Sequence, residues 1–296
     1  MQTFPKQKLA IILGSIGILG IGVFVVFSLW SKDKSPELAP VDSVEVTETE
    51  PVHNVLGASV EGRNIESYTY GNGDTHLLFV GGIHGGYEWN SVLLAYEFMD
   101  YVEENPDVVP DSISITVIPS ANPDAVQKVT GKEGRFTAQD VSSGDKSFAR
   151  FNANNVDLNR NFDCKWQSQS TWQGNPVSAG TKPFSEPEAV AIKNFVEANN
   201  PDAVIFWHSQ AGAVYASECE DGIFFETLDI MNAYANAAGY RAVEFFDAYE
   251  ITGDAEGWLA SIGIPAITVE LSTHESIEWQ KNLAGIQAVI SYYNRQ

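Results

Sequence analysis

Strand-like and helix-like stretches alternate along the chain after residue 52. Hydrophobic periodicity predicts strands at residues 64–70, 76–82, 112–119, 202–208 and 266–271, and helices at 89–104, 185–198 and 277–292. Ser185, followed three residues later by Glu188, predicts a capping box at the start of the helix at 185–198. This alternation indicates an α/β domain with a largely parallel sheet.

Residues 9–30 form a run without a single charged side chain. As a helix rising about 1.5 Å per residue, the run would span roughly 33 Å, enough to cross a hydrocarbon core of about 30 Å. Lys6 and Lys8 precede the run and Trp30 ends it. Basic residues favour the cytoplasmic side, so we predict a transmembrane signal-anchor at residues 9–30 with residues 1–8 in the cytoplasm.

A cleaved signal peptide is the alternative interpretation of this run. Signal peptides usually have an apolar region of about 7–15 residues that ends at a small-x-small cleavage site. The run here is longer, and Leu29 and Trp30 do not suit such a site. We therefore expect an uncleaved anchor and a domain outside the cytoplasm, at the cell surface or in the periplasm.

Residues 31–52 have the composition of a tether. Pro36, Pro40 and Pro51 lie among acidic and small residues, with little apolar surface to offset the entropy of ordering. This composition predicts a flexible acidic linker, followed by one catalytic domain at residues 53–296.

The overall charge and the cysteine content exclude some classes of protein. The chain has 17 Lys and Arg against 39 Asp and Glu, a net charge of −22. Phosphate binding needs clustered cations, so we expect no nucleic-acid partner. Cys164 and Cys219 do not make a disulfide framework, and whether they pair is left open by the sequence, as is the oligomeric state.

Two histidines and two glutamates lie at or just beyond the ends of three predicted strands. His84 and Glu88 follow the strand at 76–82, His208 ends the strand at 202–208, and Glu270 lies near the end of the strand at 266–271. Ligands of such sheets bind beyond the carboxyl ends of the strands. Two His and one carboxylate are the ligands of a catalytic zinc site, and the remaining Glu would suit a general base.

Several motifs occur in a fixed order along the chain. They are Gly57–Arg63 (GASVEGR), residues 83–89 (IHGGYEW), residues 156–162 (VDLNRNF), His208 with Ser209, Tyr249, the loop at 253–258 and Glu270. In this order they resemble the zinc carboxypeptidases of the carboxypeptidase A/B type, from about residue 56 to the C terminus. The resemblance implies a three-layer α/β/α fold with a central mixed, largely parallel sheet, and a G-x-S-x-E-G-R strand at 57–63.

The family resemblance also implies a role for each matching residue. One zinc ion (Zn²⁺) would be bound by His84, Glu88 and His208, and Glu270 would be the base for water activated by the metal. Asn159 and Arg160 would hold the terminal carboxylate of a peptide substrate, and Tyr249 would close over the substrate. Arg150 is the candidate for stabilising the oxyanion, with Arg135 as a rival.

The sequence departs from the family pattern in the zinc-binding turn. Three residues, Gly85, Gly86 and Tyr87, separate His84 from Glu88, where the family has two, and the usual Arg of the turn is missing. Glycines tolerate unusual backbone angles, so we expect them to absorb the insertion. His53 lies at the end of the tether, and His76 and His274 have no partner at metal-ligand spacing, so we assign none of the three a role.

The loop before Glu270 would line the pocket for the C-terminal side chain. Glu256 takes the selecting position in this loop, with Asp254 close by. A buried carboxylate favours a cationic partner, which predicts a preference for Lys, Arg or the diaminopimelate of cell-wall stem peptides. Alternatively, Glu256 caps a helix or faces solvent.

The sequence therefore predicts a zinc-dependent carboxypeptidase anchored to a membrane. Two alternatives remain, of which the first has the same fold and the second belongs to a different functional class. One is a zinc amidohydrolase that deacylates a small N-acyl amino acid, and the other is an inactive, anchored peptide-binding module. The pair Asn159 and Arg160, together with Tyr249, favours the peptidase, and the presence of Glu270 argues against an inactive module.

Overall fold

The structure, a computed structural model, describes residues 50–295. The predicted anchor at 9–30 and nearly all of the predicted linker lie outside the described residues. Among the described residues, no helix combines the length and apolar character needed to cross a bilayer.

The described part of the chain contains ten strands and six α-helices, together with four short 3₁₀ helices. The strands are β1 (Val52–Ala58), β2 (Asn64–Tyr70), β3 (Thr75–Val80), β4 (Ile113–Ile118), β5 (Gln169–Trp172), β6 (Asn175–Ser178), β7 (Ala203–Ser209), β8 (Ala213–Ala216), β9 (Arg241–Val243) and β10 (Ala266–Leu271). The helices are α1 (Trp89–Glu104), α2 (Pro123–Thr130), α3 (Pro187–Asn199), α4 (Phe225–Ala238), α5 (Ala255–Ser261) and α6 (Trp279–Tyr293).

Eight of the strands form one mixed sheet in the order β1-β2-β4-β3-β7-β10-β8-β9. The central strands β4, β3, β7 and β10 are parallel to one another. The strands β1, β2 and β8 pair in antiparallel fashion with their neighbours towards the centre. The remaining two strands, β5 and β6, form a separate hairpin. The prediction of an α/β fold around a mixed sheet is confirmed.

Helices cover both faces of the sheet because its central strands are apolar on both sides. In β3, Leu77 and Phe79 pack into a core with helices α1, α4 and α6. Leu78 and Val80 of the same strand pack into a second core with α3 and α5. Successive side chains of a strand point to opposite faces, so a strand apolar at every position is buried on both. This arrangement gives three layers.

Every strand and helix predicted from hydrophobic periodicity is present, with boundaries shifted by two residues at most. The prediction of a capping box at Ser185 is wrong. Helix α3 begins at Pro187, and the Ser185 hydroxyl donates to Glu186 Oε1 (2.7 Å) instead of accepting from the helix. The Glu188 carboxylate accepts from the backbone N–H of Val60 (3.0 Å). Glu188 is therefore bonded to a distant turn of the chain and not to the N-terminus of its own helix.

The prediction of a strand through residues 57–63 is also wrong beyond Ala58. Residues 59–63 form a turn in which Gly62 N donates to Ser59 O, and Gly62 has a φ of 86° that glycine adopts readily. Ser59 Oγ and Arg63 Nη1 both donate to the buried Asp124 of helix α2, at 2.5 Å and 2.8 Å. These bonds attach the turn to α2 and so end the strand.

Candidate metal centre and active site

The predicted metal ligands and the predicted base lie close together because the strands that precede or carry them are neighbours in the sheet. Strands β3, β7 and β10 are adjacent and parallel, so their carboxyl ends lie at one edge of the sheet. His208 of β7 is the register partner of Glu270 of β10. His84 and Glu88 lie in the turn between β3 and α1. The structure therefore brings all four residues to one place.

His84, Glu88 and His208 form a compact donor cluster. Glu88 Oε1 lies 2.8 Å from His84 Nδ1, and Glu88 Oε2 lies 3.1 Å from His208 Nδ1. All three donor atoms lie within 4.8 Å of one another, and all three side chains are buried. Two imidazole nitrogens and one carboxylate leave a fourth position open, which is the donor set of catalytic zinc. These residues fit a zinc ion.

The electrostatics of the cluster also favour a cation. Burial by itself would raise the pKa of Glu88, but His84 and His208 lower it well below its usual range. Burial would lower the pKa of His208, but Glu88 and Glu256 raise it well above its usual value. The carboxylates around His208 thus favour a positive charge at this position, and a bound zinc ion would take the place of the proton on His208. The carboxylate of Glu88 is available to a metal ion at neutral pH.

The glycines of the inserted turn are required by their closeness to helix α2. A side chain at Gly85 would clash with the methyl group of Ala125, and one at Gly86 would clash with Val129. Gly85 also has a φ of 46°. The backbone of the inserted turn therefore packs closely against α2. The Glu88 carboxylate remains in contact with both His84 and His208.

Asp157 is a site residue to which we assigned no role from the sequence. Its Oδ1 lies 3.3 Å from His84 Nε2, and its Oδ2 accepts from Arg150 Nε (2.8 Å). A carboxylate on the second ring nitrogen orients a metal-binding histidine. The signal available in the sequence was its place in the VDLNRNF segment.

Arg150 lies beside the donor cluster, whereas Arg135 does not. Arg150 Nη1 lies 3.2 Å from His84 Nδ1 and 3.7 Å from Glu88 Oε1. Arg135 forms an exposed ion pair with Asp100 (2.8 Å). Of the two arginines considered, Arg150 has the position from which an oxyanion next to the metal could be stabilised.

The donor cluster opens into a cavity of about 500 Å³. The other predicted site residues all line it, namely Arg150, Asn159, Arg160, Tyr249, Asp254, Glu256 and Glu270. Asn159 Oδ1 accepts from the backbone N–H of Ala255 (2.8 Å), and Arg160 Nη1 donates to Asn159 O (2.5 Å). These bonds hold the pair beside the start of helix α5.

Glu270 has the environment expected of a general base. Its Oε2 atom is buried and has no hydrogen-bond partner among the described residues. Burial, together with the charge of Glu88, raises the pKa of Glu270 to about 8. A zinc ion held by the neighbouring donor cluster would lower this pKa again, because a positive charge favours the ionised carboxylate that can accept a proton.

Asp254 and Glu256 differ in their partners. Asp254 caps helix α5, because its Oδ2 accepts from Gly257 N (2.8 Å). Glu256 instead lies inside the cavity, where its Oε1 is 3.2 Å from His208 Nε2 and accepts from Thr268 Oγ1 (3.0 Å). Burial and the charge of Glu256 raise the pKa of Asp254 to about 6. The alternative that Glu256 is a cap or faces solvent does not describe this structure.

His274 and Tyr87 line the same cavity, although we assigned neither a role. His274 Nδ1 lies 2.7 Å from Ser209 Oγ, and its ring centroid is 4.4 Å from that of Tyr87. The ring of Tyr87 also contacts Trp172, at 5.2 Å between centroids. Thus Tyr87, in the turn that lacks the usual arginine, forms an aromatic cluster with Trp172 and His274 on the cavity wall. The only signal in the sequence was the closeness of His274 to Glu270.

Cys164 and Cys219 form a disulfide with a Cα–Cα distance of 6.2 Å. It joins the segment after Arg160 to the loop after β8. Both segments line the cavity.

The fold and the donor cluster together define the class of zinc hydrolases. The sequence model of the zinc carboxypeptidase family, peptidase M14, matches residues 45–292. This chain belongs to the zinc carboxypeptidase family. The family is one of zinc-dependent peptidases, in agreement with the predicted cofactor and with the His84, Glu88 and His208 cluster.

Individual relatives are distant. Gamma-D-glutamyl-L-diamino acid endopeptidase 1 of Lysinibacillus sphaericus is 23% identical over 248 residues, which cover 74% of this chain and 60% of that protein. Human carboxypeptidase O is 30% identical over 132 residues, 39% of this chain and 35% of that protein. The chain thus spans at most 60% of the length of these relatives.

Solved structures share the fold. Bovine thrombin-activatable fibrinolysis inhibitor, in complex with tick carboxypeptidase inhibitor, matches with a TM-score of 0.68 at 20% identity, over 83% of this chain and 91% of that one. Murein-tripeptide amidase of Escherichia coli O157 matches with a TM-score of 0.58 at 22% identity, over 81% and 90% of the two chains.

Proposed function

We propose that this protein is a zinc-dependent carboxypeptidase that hydrolyses the C-terminal peptide bond of peptides. One observation carries the proposal. The His84, Glu88 and His208 cluster, Glu270 and the pair Asn159 and Arg160 all line a single cavity. A metal site, a base and a carboxylate-binding pair are the parts that removal of a C-terminal residue requires.

Each residue has a role in this reaction. His84, Glu88 and His208 hold the zinc, which when bound supplies a Lewis acid that polarises the scissile carbonyl and lowers the pKa of water. Arg160 pairs with the terminal carboxylate through its guanidinium, and Asn159 donates to it. Glu270 accepts a proton from the attacking water and delivers it to the leaving amine. Arg150 stabilises the charge that develops on the carbonyl oxygen, while Tyr249 closes over the substrate.

We further propose that the substrate ends in a cationic residue. The buried carboxylate of Glu256 and the half-buried carboxylate of Asp254 line the same cavity as Arg160. A relative named for cleavage next to an L-diamino acid and a structural neighbour named for a murein tripeptide support a cell-wall stem peptide as the substrate.

Our proposal for the location is a membrane-anchored protein with its catalytic domain outside the cytoplasm. The uncharged run at residues 9–30 and the basic residues before it support this placement. The disulfide between Cys164 and Cys219 is compatible with it, since disulfides persist in oxidising compartments.

Of the two alternatives weighed on the sequence, neither uses the whole cavity. A deacylase of small N-acyl amino acids has no need of Tyr249 closing over a peptide. A module that only binds peptides has no need of Glu270, whose Oε2 atom is buried without a hydrogen-bond partner among the described residues. The peptidase accounts for both residues.

Two peptides that differ only at the C terminus test the proposed function. The purified domain with zinc should release Lys from a short peptide that ends in a free carboxylate. The same peptide with a C-terminal amide should be cut at least about tenfold more slowly, because Arg160 loses a charge-assisted partner. Mass spectrometry of the products measures both rates. Internal cleavage of the amide peptide at the same rate would point to an endopeptidase instead.

Side-chain preference is tested with matched peptides that end in Lys, Leu or Glu. We expect kcat/KM for Lys to exceed that for Leu by about tenfold or more, since a hydrogen bond to a charged group contributes roughly 1.5–3 kcal/mol. Glu256→Gln should reduce this ratio, with zinc content measured in parallel because Glu256 contacts His208. Glu244→Gln, at an exposed position, is the matched control. Equal removal of Leu and Lys would contradict the preference and leave the peptidase function standing.

A further inference from the structure

An ion pair on the cavity wall has no role in the reaction described above. Lys165 Nζ lies 3.2 Å from Glu218 Oε1, and each side chain is 39% exposed. Both residues line the same cavity as Arg160, Asp254 and Glu256. The pair therefore presents one positive and one negative group to whatever occupies that cavity.

The position of this pair is fixed by the chain on either side of it. Lys165 follows Cys164 and Glu218 precedes Cys219, so the disulfide joins their immediate neighbours. Gly253 N donates to Cys164 O (2.7 Å), and Phe162 N donates to Gly253 O (2.8 Å). These two bonds attach the segment that carries Lys165 to the loop that carries Asp254. The backbone of the segment that carries Lys165 is thus fixed relative to the loop at residues 253–258.

Lys165 is a positively charged residue of the cavity that has no role in the proposed reaction. Among the described residues, the arginines and lysines that line the cavity are Arg150, Arg160 and Lys165. Arg150 is bonded to Asp157, and Arg160 is assigned to the terminal carboxylate of the substrate. A substrate side chain that carried only an amine would pair with the acidic groups but would be repelled by Lys165. A side chain that also carried a carboxylate would pair with both.

We infer that the cavity selects a C-terminal residue whose side chain ends in an amine and a carboxylate on the same carbon, as in diaminopimelate. Lys165 receives the carboxylate, and the amine pairs with the acidic side chains that line the same cavity, Glu218 and Glu256. Lys165 is then a specificity-determining residue. This inference rests on the proposed carboxypeptidase function, which it narrows from cationic residues in general to a residue with a doubly charged side chain.

Two peptides that end in Lys and in meso-diaminopimelate provide the test, since they differ only by one carboxylate on the ε-carbon. In the wild-type enzyme, kcat/KM for the diaminopimelate peptide should exceed that for the Lys peptide by about tenfold or more, the effect of one charged hydrogen bond. Lys165→Met, which keeps the apolar stem, should bring that ratio close to one. Lys165→Arg keeps the charge and should preserve most of the preference.

A matched control separates this role from a general effect of losing a surface ion pair. Lys193 pairs with Glu197 on helix α3 (3.1 Å), and Lys193→Met should leave the ratio unchanged. If Lys165→Met also leaves the ratio unchanged, or the wild-type enzyme prefers the Lys peptide, the inference is wrong and the pair is only a surface salt bridge.

Binding without turnover distinguishes a failure of this inference from a failure of the proposed function. The affinity of both peptides for the zinc-loaded Glu270→Gln variant can be measured by calorimetry. Tighter binding of the diaminopimelate peptide, lost in the Lys165→Met background, would support the role of Lys165 even if the wild-type protein cut neither peptide. Equal binding of the two peptides would overturn it.

Discussion

Glu270→Gln is expected to lower kcat by about 100- to 10,000-fold, the contribution of a positioned acid–base group. The amide has the shape of the carboxylate but cannot accept the proton of the attacking water. Glu270 is the register partner of His208 on adjacent strands, so it lies next to the proposed metal position. Steady-state kinetics on a peptide that ends in Lys would measure the loss.

Properties that should not change in Glu270→Gln show whether the loss of kcat is due to the missing base. Zinc content, thermal stability and peptide affinity should remain close to wild type, because Glu270 is outside the donor cluster. Glu275→Gln changes an exposed residue five positions later and should leave kcat unchanged. Near-normal turnover by Glu270→Gln would remove this residue from the mechanism.

Glu88→Ala is expected to abolish stable zinc binding. The carboxylate bridges the two histidines, at 2.8 Å from His84 and 3.1 Å from His208, and its removal leaves a metal ion with two protein ligands. Changes to residues that merely support the ligands lower affinity by about 10- to 100-fold, so loss of a ligand should exceed this range. Elemental analysis of the purified domain would measure zinc per protein, with about one expected in the wild type.

The inserted turn makes Glu88 a sharper test than either histidine. A nearby carboxylate, Asp157 or Glu270, is the alternative ligand if the insertion displaces Glu88. Glu97→Ala on the exposed side of helix α1 serves as the control and should retain full zinc. Full zinc and full activity in Glu88→Ala would show that the proposed ligand set is wrong.

The closeness of the predicted metal ligands to the predicted base could be inferred from the sequence for a physical reason. Parallel strands joined by helices end at one edge of a sheet, so residues at the ends of β3, β7 and β10 converge whatever the details of packing. His84, His208 and Glu270 each follow or end a run of apolar residues. Periodicity and residue type therefore indicated where the metal site lies, whereas the roles of Asn159, Arg160 and Tyr249 came from the family resemblance.

Side-chain partners that depend on the approach of distant segments could not be predicted in this way. Ser185 has the spacing of a cap, but Glu188 is bonded to the turn after β1. His274 lacks any partner at metal-ligand spacing in the sequence, yet it contacts Ser209 of a neighbouring strand. The pairing of Cys164 with Cys219 depends on the closeness of two loops 55 residues apart. The spacing of residues along the sequence does not indicate which distant segments come into contact in the fold.

Removal and return of the metal is the most direct test of a zinc carboxypeptidase with this site. The measurement is the rate of Lys release from a peptide with a free C-terminal carboxylate, before chelation, after chelation, and after zinc is added back. We predict release before chelation, loss of release after it, and recovery at about one zinc per protein. Release that continues at the same rate in the fully chelated protein would contradict the account.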